Sequence, residues 1–148
     1  MEKSKTKSKA KTETKTSKKK NFVFAVGRRK TAVARIRLYH GKGETLVNDQ
    51  PIAKYFSGEI TKTLYQQPFN LTETLGKYYA TIKVVGSGQK AQLGAVVHGL
   101  ARALDKDNQS FHSVLKKNKL LTRDPRAKER RKVGQMGKAR KKKQSPKR

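Results

Sequence analysis

GRRKTAVARIRLY, residues 27–39, contains a strand with two chemically different faces. From Ala32 onward the pattern alternates: Ala32, Ala34, Ile36 and Leu38 fall on one side, and Val33, Arg35, Arg37 and Tyr39 on the other. That period of two is the mark of a half-buried strand, with one face asking for a core and the other partly cationic. Side chains two apart on a pleat are about 7 Å apart, near the spacing of successive phosphates along one nucleic-acid strand, so Arg35 and Arg37 suit a backbone grip. An ordinary solvated sheet face is the competing reading, and the neighbouring cations Arg28, Arg29 and Lys30 weigh toward contact.

Working outward, Val23–Val26 predict a second strand segment, joined to the first by a kink or bulge at this basic corner. Downstream, His40–Gly43 predict a glycine turn into residues 44–47 as a short antiparallel partner. Residues 48–51 open a short helix with Ile52, Tyr55 and Phe56 on one face, and a second amphipathic piece through Ile60 and Leu64 is expected to stop at Pro68. Tyr55, Phe56 and Tyr65 stand at helical spacing and read as core more readily than as base-stacking groups. Tyr78–Val85 is a long, central strand, and Gln89–Leu104 a helix with Leu93, Val96, Val97, Leu100 and Leu104 inward. Gly94 and Gly99 inside that helix imply close backbone approach to a sheet or to RNA, because each costs about 1 kcal/mol relative to Ala. Ser110 is the expected cap of a last short helix with Phe111, Val114 and Leu115 inward.

Charge is concentrated at the ends. The 148 residues carry a formal charge of +28, of which +7 lies in residues 1–20 and +11 in residues 123–148. Three segments follow: a disordered Lys/Ser/Thr-rich arm over 1–21, a globular polyanion-binding domain over 22–122 and an extended basic tail over 123–148. Thirteen Lys and Arg against Asp124 and Glu129 repel one another unless a polyanion neutralises them, which points to nucleic acid. There is no cysteine, so disulfides, thiolate metal sites and cysteine nucleophiles are excluded together. No apolar run nears the roughly 18 residues of a membrane span, and a cytoplasmic location without membrane contact is expected.

The best case for an enzyme is GSGQKA, residues 86–91, a match to the glycine fingerprint of dinucleotide-binding folds, with Asp105 or Asp107 further on. The context is wrong, because the acid should end a second parallel strand and both fall at a helix C-terminus. The glycines still expose backbone N–H groups where a phosphate fits. His40, His98 and His112 are scattered, no catalytic or metal constellation is legible, and neither an enzyme nor a cofactor is expected.

With GRRKTAVARIRLY, the glycine turn before QLGAVVHGLARAL, then LLTRD and RAKERRKVG in order, and a final Lys147-Arg148, the chain resembles the bacterial form of the small-subunit ribosomal protein nine family from about Phe22 to Arg148. Ser87 and Ala91, where the family often has Gly, are local departures. The resemblance implies an α+β fold, a four-stranded mixed sheet backed by helices like the second domain of ribosomal protein five, with a left-handed strand-helix-strand crossover. It implies as partners small-subunit ribosomal RNA, neighbouring ribosomal proteins of the subunit head and peptidyl-site transfer RNA. Arg148 and Lys147 are the implied transfer-RNA contacts. The implied ribosomal-RNA contacts are Arg28, Arg29, Lys30, Arg35, Arg37, Gly86, Gly88 and Arg102 in the domain, and Arg123, Arg126, Arg130, Arg131, Lys132 and Arg140 in the tail. A free-standing nucleic-acid-binding or compacting protein is the alternative of different class.

Overall fold

Ala32, Ala34, Ile36 and Leu38 do lie on one face and are buried at 0–1% exposure. Their strand, β2 (Ala32–His40), is the second of five in a mixed sheet seen in a computed structural model that describes residues 22–141. The other strands are β1 (Val23–Arg29), β3 (Leu46–Val47), β4 (Gln50–Pro51) and β5 (Tyr78–Val85), and the spatial order is β1-β2-β5-β3-β4. The expected arm over 1–21 and the last seven residues lie outside the described residues.

Three local expectations change. The segments on either side of the basic corner are not one kinked strand but antiparallel partners, paired from Val23↔Leu38 to Arg29↔Ala32. Lys30 takes the left-handed turn position at φ 51°. Residues 46–47 do not pair back onto β2, because β5 takes that edge from Val33↔Val85 to His40↔Tyr78. Instead β3 runs parallel to β5 and antiparallel to β4, which makes five strands where four were expected. Asn48 secures this join, its side chain accepting from the Val84 N–H at 2.9 Å and donating to the Val84 carbonyl at 3.0 Å.

The parallel pair β3–β5 is bridged by α1 (Ile52–Tyr55) and α2 (Glu59–Leu71). Pro68 does not stop α2 but sits inside it, fully buried between Tyr65 and Phe69. An interior proline costs a helix about 3 kcal/mol, and burial of this apolar face offsets it. The helix ends three residues later, where the Thr72 hydroxyl donates to the Pro68 carbonyl and lies 2.7 Å from that of Thr74. Ile60 and Leu64 point away from the core, at 80% and 42% exposure.

Helix α3 (Gln89–Asp107) crosses the sheet on its apolar side and buries Leu93, Val96, Leu100 and Leu104. Gly99 meets Gly27 of β1 at the crossing: a Cβ on Gly27 would stand 1.9 Å from the Ala95 carbonyl oxygen, and one on Gly99 2.6 Å from Ile36 Cδ1. The two glycines let helix and strand backbones touch, so the approach expected of Gly99 is to the sheet. A 3-10 turn (Gln109–Phe111) leads to α4 (His112–Lys117). Its cap is Asn108, whose side chain accepts from the Ser110 N–H, and not Ser110 itself; Leu115 points inward while Val114 stays 39% exposed.

Candidate nucleic-acid interface

All the main helices cover one side of the sheet, and the other side is open. On it, antiparallel register brings together residues far apart in sequence. Arg35 lies opposite Val26 on one side and Lys83 on the other, and Arg37 lies between Phe24 and Thr81. Tyr39 faces Tyr79 with rings stacked 5.0 Å apart, and Phe22 leans on Tyr39 at 5.7 Å. The Arg37 guanidinium sits 5.3 Å from the Phe22 ring centre, a cation–π contact. No acidic side chain among the described residues pairs with Arg35, Arg37 or Lys83. A free cationic face interleaved with aromatic rings suits single-stranded RNA, with phosphates on the cations and bases on the rings.

The basic corner divides. Arg28 is in register with Val33 and belongs to the open face, whereas Arg29, opposite Ala32, belongs to the helix side. There Arg29 runs over Gly94, where a Cβ would come within 2.4 Å of its Cδ, and reaches Asp124 at 3.3 Å. So Gly94 makes room for an arginine that anchors the tail, and Lys30 stays exposed at the turn. Gly86, at φ 83°, packs against the Thr31 carbonyl, where a Cβ would stand 2.5 Å away, while Gly88 starts α3 in open space.

One stripe of α3 seals the free edge of β1. His98 Nδ1 accepts from the Arg28 N–H at 3.3 Å, Arg102 donates to the Val26 carbonyl at 2.6 Å, and Lys106 donates to the Phe24 carbonyl at 3.4 Å. Spaced four apart, these side chains satisfy an edge that would otherwise pair with another strand. Arg102 thus has one N–H committed to the fold and the rest exposed. The other ring nitrogen of His98 lies 3.3 Å from the Leu121 carbonyl, so the neutral ring with its proton on Nε2 serves both partners. Burial holds its pKa below the usual imidazole value, with Arg102 and Arg123 acting in the same direction.

The tail leaves from this point and is not extended throughout. Arg126 forks Asp124 at 2.8–3.0 Å, and Arg140 forks Glu129 at 2.6–3.0 Å across eleven residues. Positive φ at Gly134, Met136 and Gly137 folds the chain back so that Arg140 can reach. Hydrogen bonding to these arginines holds both carboxyls below the usual range. Arg123, Arg130, Arg131 and Lys132 stay exposed without an acidic partner among the described residues, and Lys147 and Arg148 lie outside them.

Asp107 accepts from the Tyr78 hydroxyl at 2.6 Å and lies 3.0 Å from the His40 ring, while Asp105 meets His112 at 2.8 Å. Burial, then this bond, pushes the Tyr78 hydroxyl up to about 12. Both acids therefore staple the end of α3, and neither is placed as a nucleotide-binding acid after a strand. No group of metal-ligating side chains occurs among the described residues, and no helix there is long and apolar enough to cross a membrane. Sequence reading missed Lys83, the Tyr39–Tyr79 pair and Phe24 as members of the open face. Their alternation was legible, but their pairing across strands was not.

The family profile described as ribosomal protein S9/S16 matches residues 27–148. The chain is 48% identical over 125 residues to the small ribosomal subunit protein uS9 of Rickettsia conorii, an alignment covering 84% of this chain and 78% of that one. It is 48% identical over 118 residues to the protein of the same name from Maridesulfovibrio salexigens, covering 80% and 91%, and 45% identical over 116 residues to that from Dehalococcoides mccartyi, covering 78% and 88%.

Proposed function

The chain belongs to the ribosomal protein S9/S16 family, in its bacterial form, and from that premise we propose that it is a structural constituent of the small ribosomal subunit, holding ribosomal RNA in the subunit head. The observation that carries the RNA contact is the open sheet face, where Arg35, Arg37 and Lys83 crowd together with no acidic partner among the described residues. Like charges opposite one another in a sheet are destabilising by a few tenths of a kcal/mol, so the arrangement makes physical sense with a polyanion present. Exposed tail cations at Arg123, Arg130, Arg131 and Lys132 extend the contact along a second RNA stretch. Arg126 and Arg140 join them by exchanging a carboxylate for a phosphate, the same planar fork serving either acceptor. Lys147 and Arg148 are the proposed contacts to peptidyl-site transfer RNA, and other head proteins are the neighbours.

Sedimentation of a tagged chain with the small subunit, followed by ultraviolet cross-linking mapped by mass spectrometry, tests the assignment. Cross-links to ribosomal RNA are expected at the Arg35–Arg37 strand and Tyr79; sedimentation with DNA instead would establish a compacting protein. The tip is tested separately. Subunits lacking Lys147 and Arg148 are expected to assemble and to release peptidyl-site transfer RNA faster, since one charge-assisted contact contributes about 1.5–3 kcal/mol while codon pairing remains. Equal dissociation rates for the two particles would refute the transfer-RNA role.

A further inference from the structure

Between α2, the first half of α3, the β1–β2 turn and the base of the tail lies a groove of about 610 Å³. Its floor is aliphatic, made by Ile60 and Leu64 of α2, Leu93 and Val97 of α3, and Leu120. Ile60 and Leu64 lie one turn apart and are exposed at 80% and 42%, on a helix whose opposite face is core. Arg28, Lys30, Lys90 and Lys119 stand around the rim. The carboxylate that also borders it, Asp124, is already held by Arg29 at 3.3 Å and Arg126 at 2.8 Å.

We propose that this groove docks a segment of a partner protein in which apolar side chains are flanked by carboxylates. The inference rests on the ribosomal reading only in supplying a protein neighbour. Charge and chemistry select the occupant. This chain's own ends do not fit, because residues 1–20 bring nine Lys with no apolar side chain larger than Ala after Met1, and residues 142–148 read KKQSPKR. A second copy would bring another +28 to a basic rim. RNA finds little here either. The groove is lined by no Phe, Tyr or Trp ring, the Thr61 hydroxyl lies within 3.0 Å of the Phe56, Ser57 and Gly58 carbonyls, and both nitrogens of the lining His98 are engaged. A base would find no Phe, Tyr or Trp platform to stack on, and the Thr61 hydroxyl and His98 ring that could read its edge are already taken. An acidic, apolar segment covers the exposed α2 residues and meets lysines that have no acidic partner among the described residues.

Because the chain has no cysteine, Ile60→Cys gives a single thiol for a short-armed photo-cross-linker. The labelled full-length chain is incorporated into small subunits, with Gln109→Cys, exposed and outside the groove, as the reference. Expected is a cross-link to protein, mapped to a segment rich in apolar and acidic residues, at about tenfold the reference yield. Replacing Lys30, Lys90 and Lys119 with Glu in the same background is expected to cut that yield about tenfold, like charge now facing like. A cross-link to RNA, to a basic segment, or at the reference yield overturns the proposal. Failure to sediment with the subunit, with the cross-link to an acidic segment retained, would count against the ribosomal reading alone.

Discussion

Gly27 and His98 show how much single positions decide. Gly27 has an ordinary extended backbone, and what forbids a side chain there is the Ala95 carbonyl oxygen 1.9 Å from where a Cβ would stand. Gly27→Ala must push α3 off β1, and the expected loss is about 3 kcal/mol, the upper part of the usual overpacking range, read from urea unfolding. Nothing in the sequence around Gly27 distinguishes it from a turn glycine. His98 makes a pH-dependent prediction. Its folded pKa lies below 6.5, so around and below that pH the unfolded chain binds more protons. The stabilisation is therefore complete above about pH 6.5 and is lost as pH falls toward the folded value. Protonation also sets an N–H on Nδ1 against the Arg28 N–H. Amide exchange at residues 120–123 is expected to speed up between pH 7.5 and 5, and His98→Gln should lose this dependence.

Among the elements, β2, β5 and α3 were legible because each is long and strongly periodic: eight or more residues of clean alternation in the strands and a full apolar stripe in the helix. The two-residue strands β3 and β4 were not, since so short a run has no period of its own and owes its existence to β5 and Asn48. Pro68 misled for a related reason, its local penalty being outweighed by burial that only the packed core supplies. The sheet carries its own prediction. Lys83→Glu places a carboxylate opposite Arg35 and should stabilise the free protein by about 0.5 kcal/mol while weakening RNA binding. Opposite shifts of the urea midpoint and of the filter-binding affinity are the check. A loss of stability would show that the cations are not crowded.

The whole molecule divides its charge between a moderately basic folded part and far more basic ends. Binding should accordingly lose affinity steeply with salt, with a slope of about −0.7 to −0.9 per phosphate neutralised. Deleting residues 123–148 is expected to flatten that slope, and the part that remains measures the folded domain together with the lysines of residues 1–20. An unchanged slope would show that the tail cations neutralise no phosphate. The structure also places both tail carboxylates on arginines, Asp124 on Arg126 and Glu129 on Arg140.

The sequence by itself determined the period of each long element, the apolar and cationic sides of β2, the position of the excess charge and, through its motifs, the family. Tertiary structure alone decided that Arg28 and Arg29 part to opposite faces, that Lys83 joins Arg35, and that His98, Arg102 and Lys106 seal the edge of β1. It also decided that Ile60 and Leu64 face a groove and not the core. The reason is physical. Which side of a helix or strand a residue occupies follows from neighbours a few positions away, whereas what it meets there depends on burial shared between segments dozens of residues apart.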